Sequence, residues 1–363
     1  MRACITPTSE DQGQKDACRT AGAPSNHPQF CRLRQRKLFS FALPMNAPPL
    51  LVSFSSVDNL LEALPQLTRE TYEAEIRALT EKGLPPAVSI RTVSTLFGVS
   101  AEFVGAMFRV PQRYYRNFKI KKGKKTRQIQ APRVALKVIQ RWIGAHLSVS
   151  VELPNCVYGF VQGRSVIDAA KIHCNATWVY SLDIRDFFPS TTSDQVFGAL
   201  TSLGYAEHGA TLITSLCTLN ARLPQGSPAS PVLSNLVFTP FDIQLQDIAA
   251  SENIRYTRYA DDIVFSGQGE PPHDVAERVR AIVSSGGWEI AKEKELLSKL
   301  PARLKVHGLL VHGTTPRLTK GYRNRIRAFK HLLASGKIKD EDLQRVRGHL
   351  SYADFVIKSE NED

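Results

Sequence analysis

The chain has 363 residues, 42% hydrophobic and 22% charged; that leaves room for two or three modules with sizeable cores and is too apolar for a disordered polypeptide. Forty-seven Lys and Arg stand against 34 Asp and Glu, a formal charge of +13 that points to a polyanionic partner, nucleic acid first. No apolar run reaches membrane-spanning length and no signal-peptide core is present, so the expectation is a cytoplasmic protein with no membrane partner; Cys4, Cys18, Cys31, Cys156, Cys174 and Cys217 lack the spacing of a zinc site or a disulfide framework.

Residues 1–44 are polar and aperiodic, and are expected to be a disordered leader or an over-long reading frame whose start is Met45. A helical region is expected over 45–110. Ser56 to Lys82 reads as helical, with Ser56 as N-cap and Leu60, Leu61, Leu64 and Leu67 at roughly helical spacing. Ser89 to Val104 reads as a helix, a turn at Gly98 and a second helix capped by Ser100; a packing element accounts for it better than a DNA-reading helix-turn-helix.

From Pro111 to Trp142 there are eleven Lys and Arg and no acid, whereas a merely solvated face mixes both signs. Tyr114 to Pro132 alternates apolar and polar residues around a Lys-Gly-Lys-Lys turn, which predicts a basic hairpin suited to gripping phosphates. Lys125 and Arg127 fall on one face of it. Val134 to Leu147 predicts an amphipathic helix, with Leu136, Ile139, Ile143 and Leu147 inward and Lys137, Gln140 and Arg141 outward. In Val157 to Ser165, Gly159 and Gly163 permit a tight path and Arg164 is free to reach a phosphate.

A helix over Ser165 to His173 leads into Thr177–Ile184, an apolar run that reads as a buried strand ending at Asp183. A helix follows over Thr192 to Leu203. Leu223 to Asn235 holds three prolines and a glycine, a rigid loop entering a helix, where Gln225 and Gly226 can approach a nucleotide closely. Ile254 to Ser266 reads as strand, tight turn and strand, with Tyr259-Ala260-Asp261-Asp262 at the turn. A lone Asp-Asp turn is equally consistent with a solvated loop. Beside Asp183, however, the two acids can hold a divalent cation through hard oxygen ligands. Val275 to Ser284 reads as a helix, Val306 to Gly313 as a hairpin-like stretch, and Thr319–Leu333 and Asp340–Val356 as basic amphipathic helices. Pro301 to His349 carries twelve Lys and Arg against three acids, a second single-sign segment on the far side of the carboxylates.

Asp183 to Ser190, Gln225-Gly226 with Ser230-Pro231, and Tyr259 to Asp262, in this order, resemble the motifs of the bacterial retron-type reverse transcriptases, over about Leu84 to Val356. Lys294 falls at the family's later lysine motif. Val306-His307-Gly308 stands at the retron Val-Thr-Gly signature, with His307 replacing threonine. Ala169 to His173 resembles the Asn-Ala-x-x-His signature, with Ala169 replacing asparagine.

The resemblance implies an α+β right-hand polymerase fold: fingers, a palm with an antiparallel sheet, and a thumb, with a helical N-terminal extension. Fingers and palm would occupy 111–300, and the palm end and thumb 301–363. It implies an RNA-directed DNA polymerase with catalytic Asp183, Asp261 and Asp262 holding two Mg2+ ions, Mn2+ being a substitute, with the Ile184 carbonyl as a further ligand. One metal would lower the pKa of the primer hydroxyl and the other would hold the triphosphate. Lys125, Arg127, Phe188, Gln225, Gly226 and Lys294 would bind the dNTP, and the Phe188 ring would clash with a 2′-hydroxyl. Arg164, Tyr259, His307, Gly308, Arg323, Arg325 and Arg327 would contact nucleic acid.

The implied partners are a structured noncoding RNA serving as template and primer, the RNA–DNA hybrid, dNTPs and an effector protein; the single-stranded DNA product (msDNA) would serve antiphage defence. The competing readings are a group II intron-like or diversity-generating reverse transcriptase, a viral RNA polymerase, and a noncatalytic RNA-binding scaffold of a toxin–antitoxin-like complex. A scaffold has no need of three uncompensated carboxylates together.

Overall fold

The computed structural model describes residues 54–361 apart from Lys124. The leader expected over 1–44 and the start at Met45 lie outside the described residues. Four helices come first: α1 (Val57–Ala63), α2 (Gln66–Glu81), α3 (Ile90–Phe97) and α4 (Ala101–Arg109). Ser56 caps α1 by accepting from Asn59 N at 3.1 Å. The helical stretch expected over Ser56 to Lys82 forms as two helices. The chain leaves α1 through extended backbone at Leu64, and Pro65 has no N–H with which to continue the ladder. Leu60, Leu61 and Leu64 are buried, but Leu67, in the first turn of α2, is exposed. Gly98 ends α3 in the left-handed region (φ 60°) and Ser100 caps α4, as the spacing predicts. Val93, Leu96, Phe97, Val104 and Met107 then join the main core, the behaviour of a packing element.

The basic hairpin forms as expected from β1 (Tyr115–Lys122) and β2 (Lys125–Pro132), followed by α5 (Val134–Ser150). In α5 the four expected core residues are buried, and so is Gln140, which the periodicity puts outside. Its amide donates to the Tyr115 hydroxyl and the Leu216 carbonyl and accepts from the Ser227 hydroxyl, each at 2.7 Å. Three segments meet at this one side chain, and every partner it needs is present, which is what allows a polar group to be buried.

Next come α6 (Val166–Ile172), β3 (Trp178–Asp183), α7 (Phe187–Ser190), α8 (Ser193–Leu203), α9 (Glu207–Cys217) and α10 (Ser230–Ser251). Capping boxes start α6 (Ser165 with Asp168) and α8 (Thr192 with Gln195). The acidic hairpin is β4 (Arg255–Tyr259) and β5 (Asp262–Gly267), then α11 (Val275–Ser285), β6 (Leu296–Lys299), β7 (Lys305–Val306), β8 (Leu309–Leu310), β9 (Arg317–Leu318), α12 (Lys320–Ala334) and α13 (Asp340–Asn361).

The central sheet is antiparallel with order β4-β5-β3-β6, so β3 is interior and reads as a continuous apolar run. Its two faces rest on different cores. Trp178, Tyr180, Leu182, Ile263 and Phe265 belong to the large core under α5, α8, α9 and α10. Val179 and Val264 belong to a second core with Val306, Leu309, Leu318, Ile326 and Val356. No helix among the described residues is long and apolar enough to cross a membrane.

Candidate active site

The sheet register builds the site. Asp183, the last residue of β3, pairs with Asp262, the first of β5, so both side chains leave the same face of the sheet. Asp261 occupies the turn between β4 and β5, where Ala260 is held in the left-handed region (φ 58°). One backbone bond locks the turn to the strand end, and a second ties the strand end to the segment that leads into β6. Ile184 N donates to Asp261 O at 2.9 Å, and Ala291 N donates to Asp183 O at 2.8 Å. Gly159 lies against the outside of the turn so closely that a Cβ there would stand 2.2 Å from Ala260 N.

Like charges directly opposite on a sheet repel, and the surroundings register this. Burial first, and then the charges of Asp262 and Asp183, push the Asp261 carboxyl above its ordinary pKa, against a backbone hydrogen bond and Lys294. Lys294 Nζ donates to Asp183 Oδ2 at 2.5 Å. Burial works against the Lys294 charge, but the bond to Asp183 and the three carboxylates outweigh it and raise its pKa. Asp262 is half exposed and its Oδ2 lies 3.6 Å from His307 Nδ1.

A cavity of about 1000 Å³ opens in front of these groups. Asp183, Ile184, Asp261 and Lys294 line one side; Arg127, Gln128 and Gln130 of β2 line another, with Gln225, Phe160 and Phe188 between. The Gln225 loop docks on the basic hairpin, since Gln130 N donates to Gln225 O at 2.9 Å. With its amide oriented by its neighbours, Gln225 donates to Gln128 O (3.1 Å) and accepts from Arg127 Nε (3.2 Å). Gly226 has φ 138°, and a Cβ there would meet Gln130 O at 2.8 Å, so only glycine fits. The Phe188 ring is half-buried against Phe160 (5.8 Å) and Phe187 (5.9 Å).

Among solved structures, telomerase from Candida albicans in complex with a TWJ fragment of telomeric RNA is similar, with a TM-score of 0.42 and 11% identity over 60% of this chain and 50% of that one. The family model for reverse transcriptase (RNA-dependent DNA polymerase) matches residues 120–308. The chain is 31% identical to the retron Ec86 reverse transcriptase of Escherichia coli over 278 residues, 76% of this chain and 86% of that protein. It is 34% identical to the retron Mx65 reverse transcriptase of Myxococcus xanthus over 304 residues, 75% of this chain and 68% of that protein. The chain belongs to the retron reverse transcriptases.

As a retron reverse transcriptase it is an RNA-directed DNA polymerase, of α+β fold. Several residues singled out from its sequence sit differently from expectation. Arg164 is not free to reach a phosphate: its Nη1 donates to the carbonyls of Pro154 and Val157, both at 2.6 Å, and so holds the loop before α6. His307 does not present its ring to solvent. Its side chain is 5% exposed, stands 5.3 Å from the Tyr259 ring, and has a buried Nε2 without a partner.

Gly308 completes that turn with φ 84°. Arg323, Arg325 and Arg327 are exposed on α12, but the helical repeat puts only Arg323 and Arg327 on one side. Lys125 opens β2, and its side chain lies outside those described.

Other residues that the sequence pattern does not single out also stand at the site of this retron reverse transcriptase. Arg258, Asp242 and Asn235 are fully buried behind the turn, and Phe160 stands at the cavity mouth with φ 62°. Arg258 left one signal: it alternates with Tyr256 on the strand face that meets Ile263 and Phe265 of the large core.

Proposed function

We propose that this retron reverse transcriptase copies part of a structured noncoding RNA encoded beside it into single-stranded DNA that stays joined to that RNA, and that the product serves antiphage defence together with an effector protein. The observation that carries the chemistry is the meeting of Asp183 and Asp261 at the wall of a cavity large enough for a nucleotide and a primer end, with Asp262 paired to Asp183 in the sheet register beside it. Among the described residues no three His, Cys, Asp or Glu enclose an ion by themselves. Mg2+ is commonly bound through one or two carboxylates together with substrate phosphates rather than in an all-protein cage.

Asp183, Asp261, Asp262 and the Ile184 carbonyl would hold two Mg2+ ions, with Mn2+ as a substitute, and the ions supply Lewis-acid stabilisation of charge at the reacting phosphate. The chain's own groups do the rest. Lys294 carries its ammonium on the cavity wall, where it can pass from Asp183 to a triphosphate. Arg127, steadied by Gln225, faces the same space, with Lys125 two residues before it on β2. Phe188 would lie under the sugar and reject a 2′-hydroxyl. We read 111–300 as fingers and palm and 301–363 as the palm end and thumb, with the exposed arginines of α12 on the RNA backbone.

The test is to purify the protein from cells carrying its native locus, extract the bound nucleic acid, and treat it separately with ribonuclease and deoxyribonuclease before sequencing. A short single-stranded DNA joined to one RNA species, absent from Asp261→Ala, is the expected result. RNA without DNA would make the protein an RNA-binding scaffold, and DNA unchanged in Asp261→Ala would remove Asp261 from the chemistry.

A further inference from the structure

Behind the turn that carries Asp261 lies a fully buried cation. Arg258, in β4, and Asp242, in α10, are both inaccessible to solvent. Arg258 Nε and Nη2 donate to the two Asp242 oxygens at 2.7 and 2.6 Å, a bidentate pair. The remaining nitrogen, Nη1, points toward the site. It donates to the Ala260 carbonyl at 3.1 Å and to Asn235 Oδ1 at 2.9 Å. Asn235 Nδ2 in turn donates to the Gly159 carbonyl at 2.9 Å, and Gly159 is the residue pressed against Ala260 N. The face of the guanidinium lies over Phe238 (4.7 Å) and near Phe187 (5.8 Å), the residue that opens α7 four positions after Asp183.

One planar group therefore touches the turn that bears Asp261, the helix that follows the Gln225 loop, and the segment that follows Asp183, and it reaches the Gly159 loop through one amide. Stability does not account for it. Apolar residues of similar volume commonly serve a fold as well as a buried ion pair does. What they cannot supply is a directed bond to the Ala260 carbonyl, where a non-glycine residue is held in left-handed backbone that its surroundings must maintain.

We infer that Arg258 is a positioning residue for the polymerase reaction: through Ala260, Asn235 and Phe187 it fixes where Asp261 stands relative to Asp183. This rests on the reading of the aspartates as catalytic, and the experiment separates the two. Arg258→Met combined with Asp242→Leu removes the pair without stranding a charge. Arg258→Lys keeps the charge but loses the fork. Asn235→Leu cuts only the arm to Gly159. Asp261→Asn is the control.

Each protein is assayed for thermal unfolding, for affinity to a primed RNA template, and for single-turnover extension over a range of dNTP concentrations. For the pair replacement we expect cooperative unfolding near the wild-type temperature, unchanged template affinity, and a maximal rate about 10²-fold lower, as for a displacement of roughly 1 Å at a reacting group. Arg258→Lys is expected not to restore the rate. A pair replacement that unfolds normally and extends within about three-fold of wild type overturns the inference, as does a rate loss matched by an equal loss of template affinity.

Should the pair replacement not fold, Asn235→Leu decides: a fall of about ten-fold in maximal rate with normal unfolding supports the inference, and an unchanged rate overturns it. Activity retained in Asp261→Asn would overturn the reading of the site itself, and the inference with it. An inactive Asp261→Asn beside a fully active pair replacement would overturn only the role of Arg258.

Discussion

Gly159→Ala should disable the polymerase through a single methyl group. An added Cβ would stand 2.2 Å from Ala260 N, 2.9 Å from Tyr259 C and 3.1 Å from Ala260 Cα, all of them backbone. Gly159 is not among the positive-φ glycines, so the effect is contact and not torsion. Ordinary contact begins near 3.4 Å, so the turn must retreat by about 3.4 − 2.2 = 1.2 Å or the Gly159 loop must move away by that much. The loop is tied by Asn235 to its carbonyl and by Tyr158 N to Arg258 O, and the turn by Ile184 N to Asp261 O. Neither side yields without breaking a bond.

A displacement of roughly 1 Å at a reacting group costs about 10²-fold in rate, or about 2.7 kcal/mol. Overpacking should lower stability by about 1–3 kcal/mol. The assay is single-turnover primer extension on an RNA template, with denaturant unfolding in parallel. A variant that unfolds cooperatively and extends within about three-fold of wild type would refute the claim that the loop sets the turn.

Three further outcomes are expected. Burial first, and then His307 and Arg255, hold the His173 pKa down at about 3, so the folded state refuses a proton that the unfolded chain accepts below about 6.5. Its contribution to stability is complete above pH 6.5 and is lost as pH falls toward 3, at about 1.4 kcal/mol per pH unit; in denaturant titrations His173→Asn should show a slope shallower by that amount, and identical slopes would refute it. Phe188→Ala should reduce the preference for dNTP over rNTP by about 10- to 100-fold, measured as the ratio of kcat/KM values, with an unchanged ratio counting against the ring as the barrier. Arg164→Ala should lose about 1 kcal/mol of stability, because the partly buried carbonyls of Pro154 and Val157 lose their donor; the salt dependence of RNA binding should stay the same, whereas a lost phosphate contact would reduce the slope by about 0.7 to 0.9.

The elements nearest the carboxylates were the most legible in the sequence. β3 and the β4–β5 hairpin are short runs of β-branched and aromatic residues that end in acids no core would accept, so their pattern and their chemistry agree. Ser56, Gly98 and Ser100 also stood where helix ends require them. Pro65 was masked because leucine spacing continued across it. α9 was missed because its buried residues go most of the way round, leaving little contrast between faces. Gln140 and Arg258 show the deeper limit. Periodicity tells which way a side chain points but not how many neighbours converge there, and a polar residue is buried only when partners from distant segments arrive together. Arg164 failed for the opposite reason: its partners are carbonyls within ten residues, and nothing in residue type separates those from a phosphate.

The second core has a consequence for how the C-terminal helices are coupled to the central sheet. Val179 and Val264 sit on the same strands as Asp183 and Asp262, yet they pack with Leu309, Leu318, Ile326 and Val356 from the C-terminal region. The strands that aim the carboxylates are thus a wall shared by two rooms. A change in the packing of α12 or α13 therefore bears directly on the strand that ends at Asp183.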